Sequence, residues 1–196
     1  ESSCKWYPYI KGGSFRRWHP AKDYVVNYQN DGFDIKTAVM SKYTYLKSPD
    51  FVVKNTSTYF NPGITWSDVA TGKFSARWVD SGYIYADAGP MFFSRTNPYL
   101  KLAYMNSPVF QLFGDLICQG LHYSTGQVPG IPYTETISNE LREKIVFNTE
   151  ENINLFMTDG NSSEMSWDFT EHPLVVLSKG LWDATAIGAS MVYYYG

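Results

Sequence analysis

Apolar and polar positions alternate most clearly at residues 74–79. Phe74, Ala76 and Trp78 share one parity there, and Ser75, Arg77 and Val79 share the other. Period-two alternation marks a strand with two unlike faces. With Ala76 and Trp78 in the core, Arg77 is expected to point outward. The turn signal Asp80-Ser81-Gly82 leads into Tyr83-Ile84-Tyr85-Ala86, which reads as the hairpin partner. Ala88-Gly89-Pro90 closes that strand, and Met91-Phe92-Phe93 begins another. Further upstream, Tyr24–Gln29 reads as a strand ending in the turn Asn30-Asp31-Gly32. Ile35, Val39 and Met40 then recur at helical spacing, predicting a short helix through about Lys42. Pro49 and Asn61-Pro62-Gly63 are breakers.

From Pro98 the period changes. Leu100, Ala103, Tyr104, Val109, Phe110, Leu112, Phe113, Leu116 and Ile117 suit one buried helix, or two split at Asn106-Ser107-Pro108, with Gly120 as a stop. Ile137, Leu141 and Ile145 predict a further, acidic helix after "VPGIPY". Residues 158–173 read as a polar loop, and the tail, Leu174–Leu177 and then Ala184–Tyr195, is apolar enough to need a partner surface. The predicted fold is α+β, with an aromatic-rich mixed or antiparallel sheet in the first half and helices in the second.

Composition adds two facts. The chain of 196 residues carries 16 Tyr, 12 Phe and 6 Trp, a content that suits stacking on bases or sugars and equally suits a β-rich core. Its net charge of −3 hides an asymmetry: residues 1–110 hold 13 Lys and Arg against 8 Asp and Glu, and residues 111–196 hold 3 against 11. Two cysteines, Cys4 and Cys118, do not make a disulfide scaffold. With no signal peptide and no apolar run of membrane-spanning length, a cytoplasmic protein without membrane association is the expectation. The start at "ESSCKWYPYIKGG" and the stop at "VYYYG" suggest a piece of a longer polypeptide.

Catalytic chemistry is sparse. No HExxH, CxxC, phosphate loop or GxSxG is present. Cys118 and His122, four apart, read as a core thiol and a surface imidazole rather than half a metal site. "FNPG" (60–63) and "TNPY" (96–99) only brush the Asn-Pro-Pro-aromatic loop of adenine-modifying methyltransferases, and both read as turns. No catalytic residue and no metal ligand is assigned. Binding chemistry is denser. Lys11, Arg16 and Arg17 flank Gly12 and Gly13, with Trp18, Phe15 and further aromatics interleaved. Glycines let backbone approach a phosphate, and guanidinium groups add bidentate contacts. The same stretch also reads as a glycine turn with solvated arginines. Lys73, Arg77 and Arg95 form a second basic set.

The runs "WYPYIKGGSFRRWHPAKDYVVNYQNDGFDIK" (6–36), "GITWSDVATGKFSARWVDSGYIYADAGPMFF" (63–93), "LAYMNSPVFQL" (102–112), "TGQVPGIPY" (125–133) and "SWDFTEHPLV" (166–175) resemble, in that order, the target-recognition region of BREX-type (PglX-like) phage-defence adenine-specific DNA methyltransferases. Related restriction-modification methylases share the arrangement. The resemblance implies a DNA target-recognition domain over 1–133 and a helical extension over 134–196 that packs on the rest of the parent protein. It implies no catalysis in the fragment itself. S-adenosylmethionine would serve the parent enzyme only, in a catalytic domain N-terminal to this piece, and double-stranded DNA would be the partner. Lys11–Arg17 and the stretch from Thr65 to Arg77 fall where the family is expected to face DNA. The DNA-binding candidates are therefore Lys11, Gly12, Gly13, Arg16, Arg17, Trp18, Lys73 and Arg77. A carbohydrate-binding module or a protein-interaction segment is the alternative.

Overall fold

The computed structural model describes residues 4–70, 72–118, 122–134 and 136–179. The chain divides into two compact units after Ile153. The first unit contains two three-stranded sheets. One is built from β1 (Trp6–Ile10), β2 (Val25–Asn27) and β5 (Ile84–Tyr85) in the order β2-β1-β5. The other takes β3 (Gly63–Trp66), β4 (Ala76–Val79) and β6 (Met91–Phe92) in the order β4-β3-β6. The fold is thus α+β with a mixed strand arrangement, as the pattern predicts, though the strands divide between two sheets.

The second sheet is the middle layer. Ile64, Trp66 and Ala76 face α2 (Pro98–Met105) and α3 (Pro108–Ile117), forming the main core with Phe74, Leu102, Met105, Phe110 and Tyr123. Phe74 stacks at 4.6 Å from Phe110 and 4.8 Å from Tyr123. On the opposite face, Val79 meets Ile10 of the first sheet and Tyr83. Much of the tyrosine content is also structural: Tyr28 lies edge-on to Tyr59 at 5.5 Å, and Tyr7 packs on Phe60 at 5.1 Å.

Local sequence signals are realised closely. Asn30, Asp31 and Gly32 all take positive φ (50°, 56° and 70°), a left-handed turn inside α1 (Gln29–Lys42). Asn, Asp and Gly are the residue types that tolerate this conformation. The Asp31 carboxylate pins the turn, accepting from the Tyr28 hydroxyl and from Lys36. The predicted split between α2 and α3 occurs at Asn106-Ser107-Pro108, where the Ser107 hydroxyl caps α3 by accepting from Phe110 N. "TNPY" opens α2, with Asn97 accepting from Tyr99 N and Leu100 N.

The hairpin does not form. Tyr83–Ala86 contributes β5, which runs parallel to β1, and the antiparallel partner of β4 is β3. The reason is that both edges of β4 are occupied. Beyond β3, the far edge is closed by Trp18, whose N–H donates to Ala76 O and whose carbonyl accepts from Trp78 N. Asn106 Oδ1 accepts from Ala76 N at 2.9 Å while its Nδ2 donates to Ala76 O at 3.0 Å. Gln111 Oε1 accepts from Phe74 N at 2.7 Å. Helix-borne amides therefore stand in for a strand neighbour and leave no edge for residues 83–86.

Beyond these layers, α4 (Asn139–Asn161) starts two residues after Ile137 and runs through 158–161, so the polar loop begins later than expected. In the second unit, α5 (Pro173–Ser178) includes Leu174–Leu177 and is capped by His172 Nδ1, which accepts from Leu174 N. Gly120 and Ala184–Tyr195 lie outside the described residues. Among the described residues no helix is long and apolar enough to cross a membrane.

Asn106→Ala removes both of the bonds that its amide makes to the backbone of Ala76 in a buried position. An unmet buried polar group costs about 1–3 kcal/mol, so urea denaturation should show a loss of roughly 2–3 kcal/mol, with α2 and α3 retained by circular dichroism. An unchanged midpoint would mean that this edge is not held by Asn106.

Candidate nucleic-acid interface

Residues 11–19 leave β1 and fold over the second sheet. Gly12 (φ 79°) passes so close to Ala88 that a Cβ would sit 2.4 Å from its carbonyl oxygen, which restricts this position to glycine. Gly13 is clamped by one hydroxyl: its N–H donates to Ser67 Oγ at 3.0 Å, and the same Oγ donates to Gly13 O at 2.9 Å. Arg16 N donates to Ser75 Oγ. At the end of the loop, His19 N donates to Arg17 O across Trp18 (φ 69°), a tight turn about a left-handed residue.

The centre of this arrangement is Arg77. It does not point outward: its side chain is 4% exposed. Nε donates to Arg16 O at 2.8 Å, and Nη2 to Ser14 O at 2.9 Å, Ser67 Oγ at 3.1 Å and Ser75 Oγ at 3.4 Å. Thr65 on the same face is fully buried and donates to Pro90 O. Arg77 takes the face opposite Ala76 and Trp78, as the alternation predicts, but that face is covered by the loop and the first sheet rather than by solvent. Burial, together with the neighbouring Arg16 charge, pushes the Arg77 pKa down to about 10, so the group stays charged at neutral pH.

The other candidates are disposed around this anchor. Lys11 is exposed, its ammonium 5.4 Å from the Tyr24 ring. Arg16 is half-buried, and its Nε donates to His19 O. The half-buried Arg17 lays its guanidinium over the Phe15 ring at 5.3 Å, and its Nε is buried without a hydrogen-bond partner. Trp18 packs against the main core and serves the fold. Lys73 is exposed, and it lines the same cleft of about 270 Å³ as Gly13, Ser14 and Phe15, with Ser67 and Ser75 at its floor. Lys73 thus meets the Gly13–Phe15 part of the loop, some sixty residues away in sequence, in one cleft. A smaller hollow of about 40 Å³ on the other side of the loop holds Lys11 and Arg16, with Asp23 among its walls.

Ser67 and Ser75 were not singled out in the sequence, although a signal existed. Thr65 on β3 and Arg77 on β4 share one parity with Ser67 and Ser75, which directly flank those strands. Such a polar row opposite an apolar one faces either water or a hydrogen-bonding second layer. Elsewhere, Cys118 is a buried free thiol and His122 is exposed beside Asp68. Among the described residues no group of three or more His, Cys, Asp or Glu could hold a metal ion.

No protein-family model matches the sequence. Over 179 residues the chain is 30% identical to "Adenine-specific methyltransferase BrxX" of Escherichia coli O9:H4 (strain HS), covering 89% of this chain and 13% of that protein. Over 177 residues it is 32% identical to "Adenine-specific methyltransferase PglX" of Lacticaseibacillus casei (strain Zhang), covering 89% and 14%. The chain is related to these methyltransferases along nearly its whole length while spanning about one-seventh of theirs or less.

Two outcomes follow from this geometry. Arg77→Met strands the carbonyls of Ser14 and Arg16, and thermal or urea unfolding should show a loss of roughly 2–4 kcal/mol, whereas Lys11→Ala should stay within about 0.5 kcal/mol. The second concerns His19, which is buried. Burial first, then Lys22 and Arg16, hold its imidazole below the ordinary 6.5 against the pull of Asp80. The unfolded chain therefore binds more protons there, and stability is full above pH 6.5 and falls as the pH drops below it. Urea midpoints measured from pH 7.5 to 5 should decline, and His19→Gln should flatten that decline.

Proposed function

We propose that this chain is the DNA target-recognition segment of an adenine-specific DNA methyltransferase of the BREX type, with no catalysis of its own. The observation that carries the reading is the convergence of the 11–17 loop and Lys73 on one cleft, in a chain related to two adenine-specific methyltransferases. Lys11 and Lys73 are exposed, and Arg16 and Arg17 are half-buried in the same loop as Lys11. Such groups contact phosphates and set the register of a protein on a duplex. Arg77 is not among the proposed DNA contacts, because it is buried with Nε and Nη2 donating within the fold; it holds the loop that carries the others. Gly12 and Gly13 shape the loop, and Trp18 anchors it.

Methyl transfer from S-adenosylmethionine to adenine would then belong to another part of the same polypeptide. Reading of base edges would come from groups around the cleft once the phosphates are engaged. The proposal includes a phage-defence role and a cytoplasmic setting.

The test is fluorescence anisotropy of a labelled mixed-sequence duplex titrated with the chain at about 50 and 200 mM salt. Affinity should fall steeply between the two. Lys11→Ala, Arg17→Ala and Lys73→Ala should each weaken binding and each lower the slope of log K against log salt by about 1. Binding that ignores salt and these changes would overturn the phosphate grip and point to the glycan-binding alternative.

A further inference from the structure

The loop bonds share a feature that phosphate contact alone does not explain. Gly13 is pinned through both its N–H and its carbonyl by Ser67. Ser14 and Arg16 are pinned through their carbonyls by the one buried guanidinium of Arg77, and Arg16 N is pinned by Ser75. The residue between those two carbonyls is Phe15. Phe15 is 56% exposed and lines the cleft, and the Arg17 guanidinium lies over its ring at 5.3 Å. A buried cation and two buried hydroxyls thus fix the backbone on both sides of an aromatic ring held in water. Flexible basic side chains need no such support, because a phosphate can be reached from many rotamers. A ring that must enter a defined space does need it, since fixing the backbone beforehand removes the ordering cost at the moment of binding.

We propose that Phe15 is a specificity-determining wedge: on duplex DNA its ring inserts against the bases at one step of the target site, flanked by the phosphate contacts of Arg17 and Lys73. Apolar side chains partly unstack a base step in this way, and the cost depends on the step, so the wedge selects sequence without a hydrogen bond. The proposal rests on the DNA-binding reading above. It differs from it in assigning discrimination to an uncharged group.

The experiment is selection from a randomised duplex library with the full chain, wild type against Phe15→Ala and Phe15→Leu. Anisotropy follows on the selected duplex, with 2-aminopurine replacing single adenines. Wild type should enrich a motif containing one easily unstacked step, and 2-aminopurine beside that step should brighten on binding. Phe15→Ala should bind the selected duplex roughly 5- to 100-fold more weakly, the range for losing one base–aromatic stack. It should enrich a motif degenerate at that step and keep the wild-type salt slope, because no charge is lost. Phe15→Leu should retain part of the preference. Since Phe15 is exposed, its variants should match the wild type in thermal midpoint. Equal affinity and an unchanged motif for Phe15→Ala overturn the wedge while leaving DNA binding intact. A wild-type chain that binds no duplex at low salt overturns the recognition reading, and the wedge with it.

Discussion

The buried guanidinium of Arg77 sets the arrangement of the first unit. A cation withdrawn from water is tolerated only where acceptors replace its hydration. Here four oxygens do so, two loop carbonyls and two strand hydroxyls. Because they come from the loop after β1, the end of β3 and the approach to β4, the charge can be satisfied only when these segments are in register. The planar fork of arginine suits this task, and a lysine, with a compact ammonium, could not reach the same set. Burial lowers the pKa of the group but leaves it charged at neutral pH, so the constraint persists under ordinary conditions.

Around that anchor the β4 edge of the middle sheet is closed by something other than a longer strand. Trp18 contributes a single bridge, Asn106 imitates a peptide group, and Gln111 takes the next free N–H. The β4 edge is therefore not left open to another chain. The stretch Met105-Asn106-Ser107 has a double duty: its asparagine seals β4 and its serine starts α3. The aromatic residues divide likewise between packing, as with Phe74 and Tyr28, and presentation, as with Phe15.

In the proposed recognition role, this construction separates holding from touching. The glycines and hydroxyls that fix the loop face inward, while the Lys11 and Lys73 ammonium groups and the Phe15 ring face out. A loop ordered before encounter loses less entropy on binding than one that must fold on its target. The basic front of the chain is diluted to a net negative charge by the second half, and its exposed charges include Lys11 on the loop and Lys73 in the cleft beside it.

By itself, the sequence determined what depends on near neighbours. The parity of residues 74–79, the left-handed Asn30-Asp31-Gly32 turn and the break at Asn106-Ser107-Pro108 all follow from side-chain alternation and local hydrogen bonding. It also placed Arg77 opposite Ala76, but alternation specifies only which face a side chain takes. Whether that face meets water or a second layer depends on contacts 61 and 63 residues away, to Arg16 and Ser14. The failed hairpin has the same origin: Tyr83–Ala86 carries the pattern of a strand, but the edge it would need was already filled by Trp18, Asn106 and Gln111. The union of Lys73 with the 11–17 loop in one cleft was likewise decided by tertiary structure, because no local period links residues so distant in the chain.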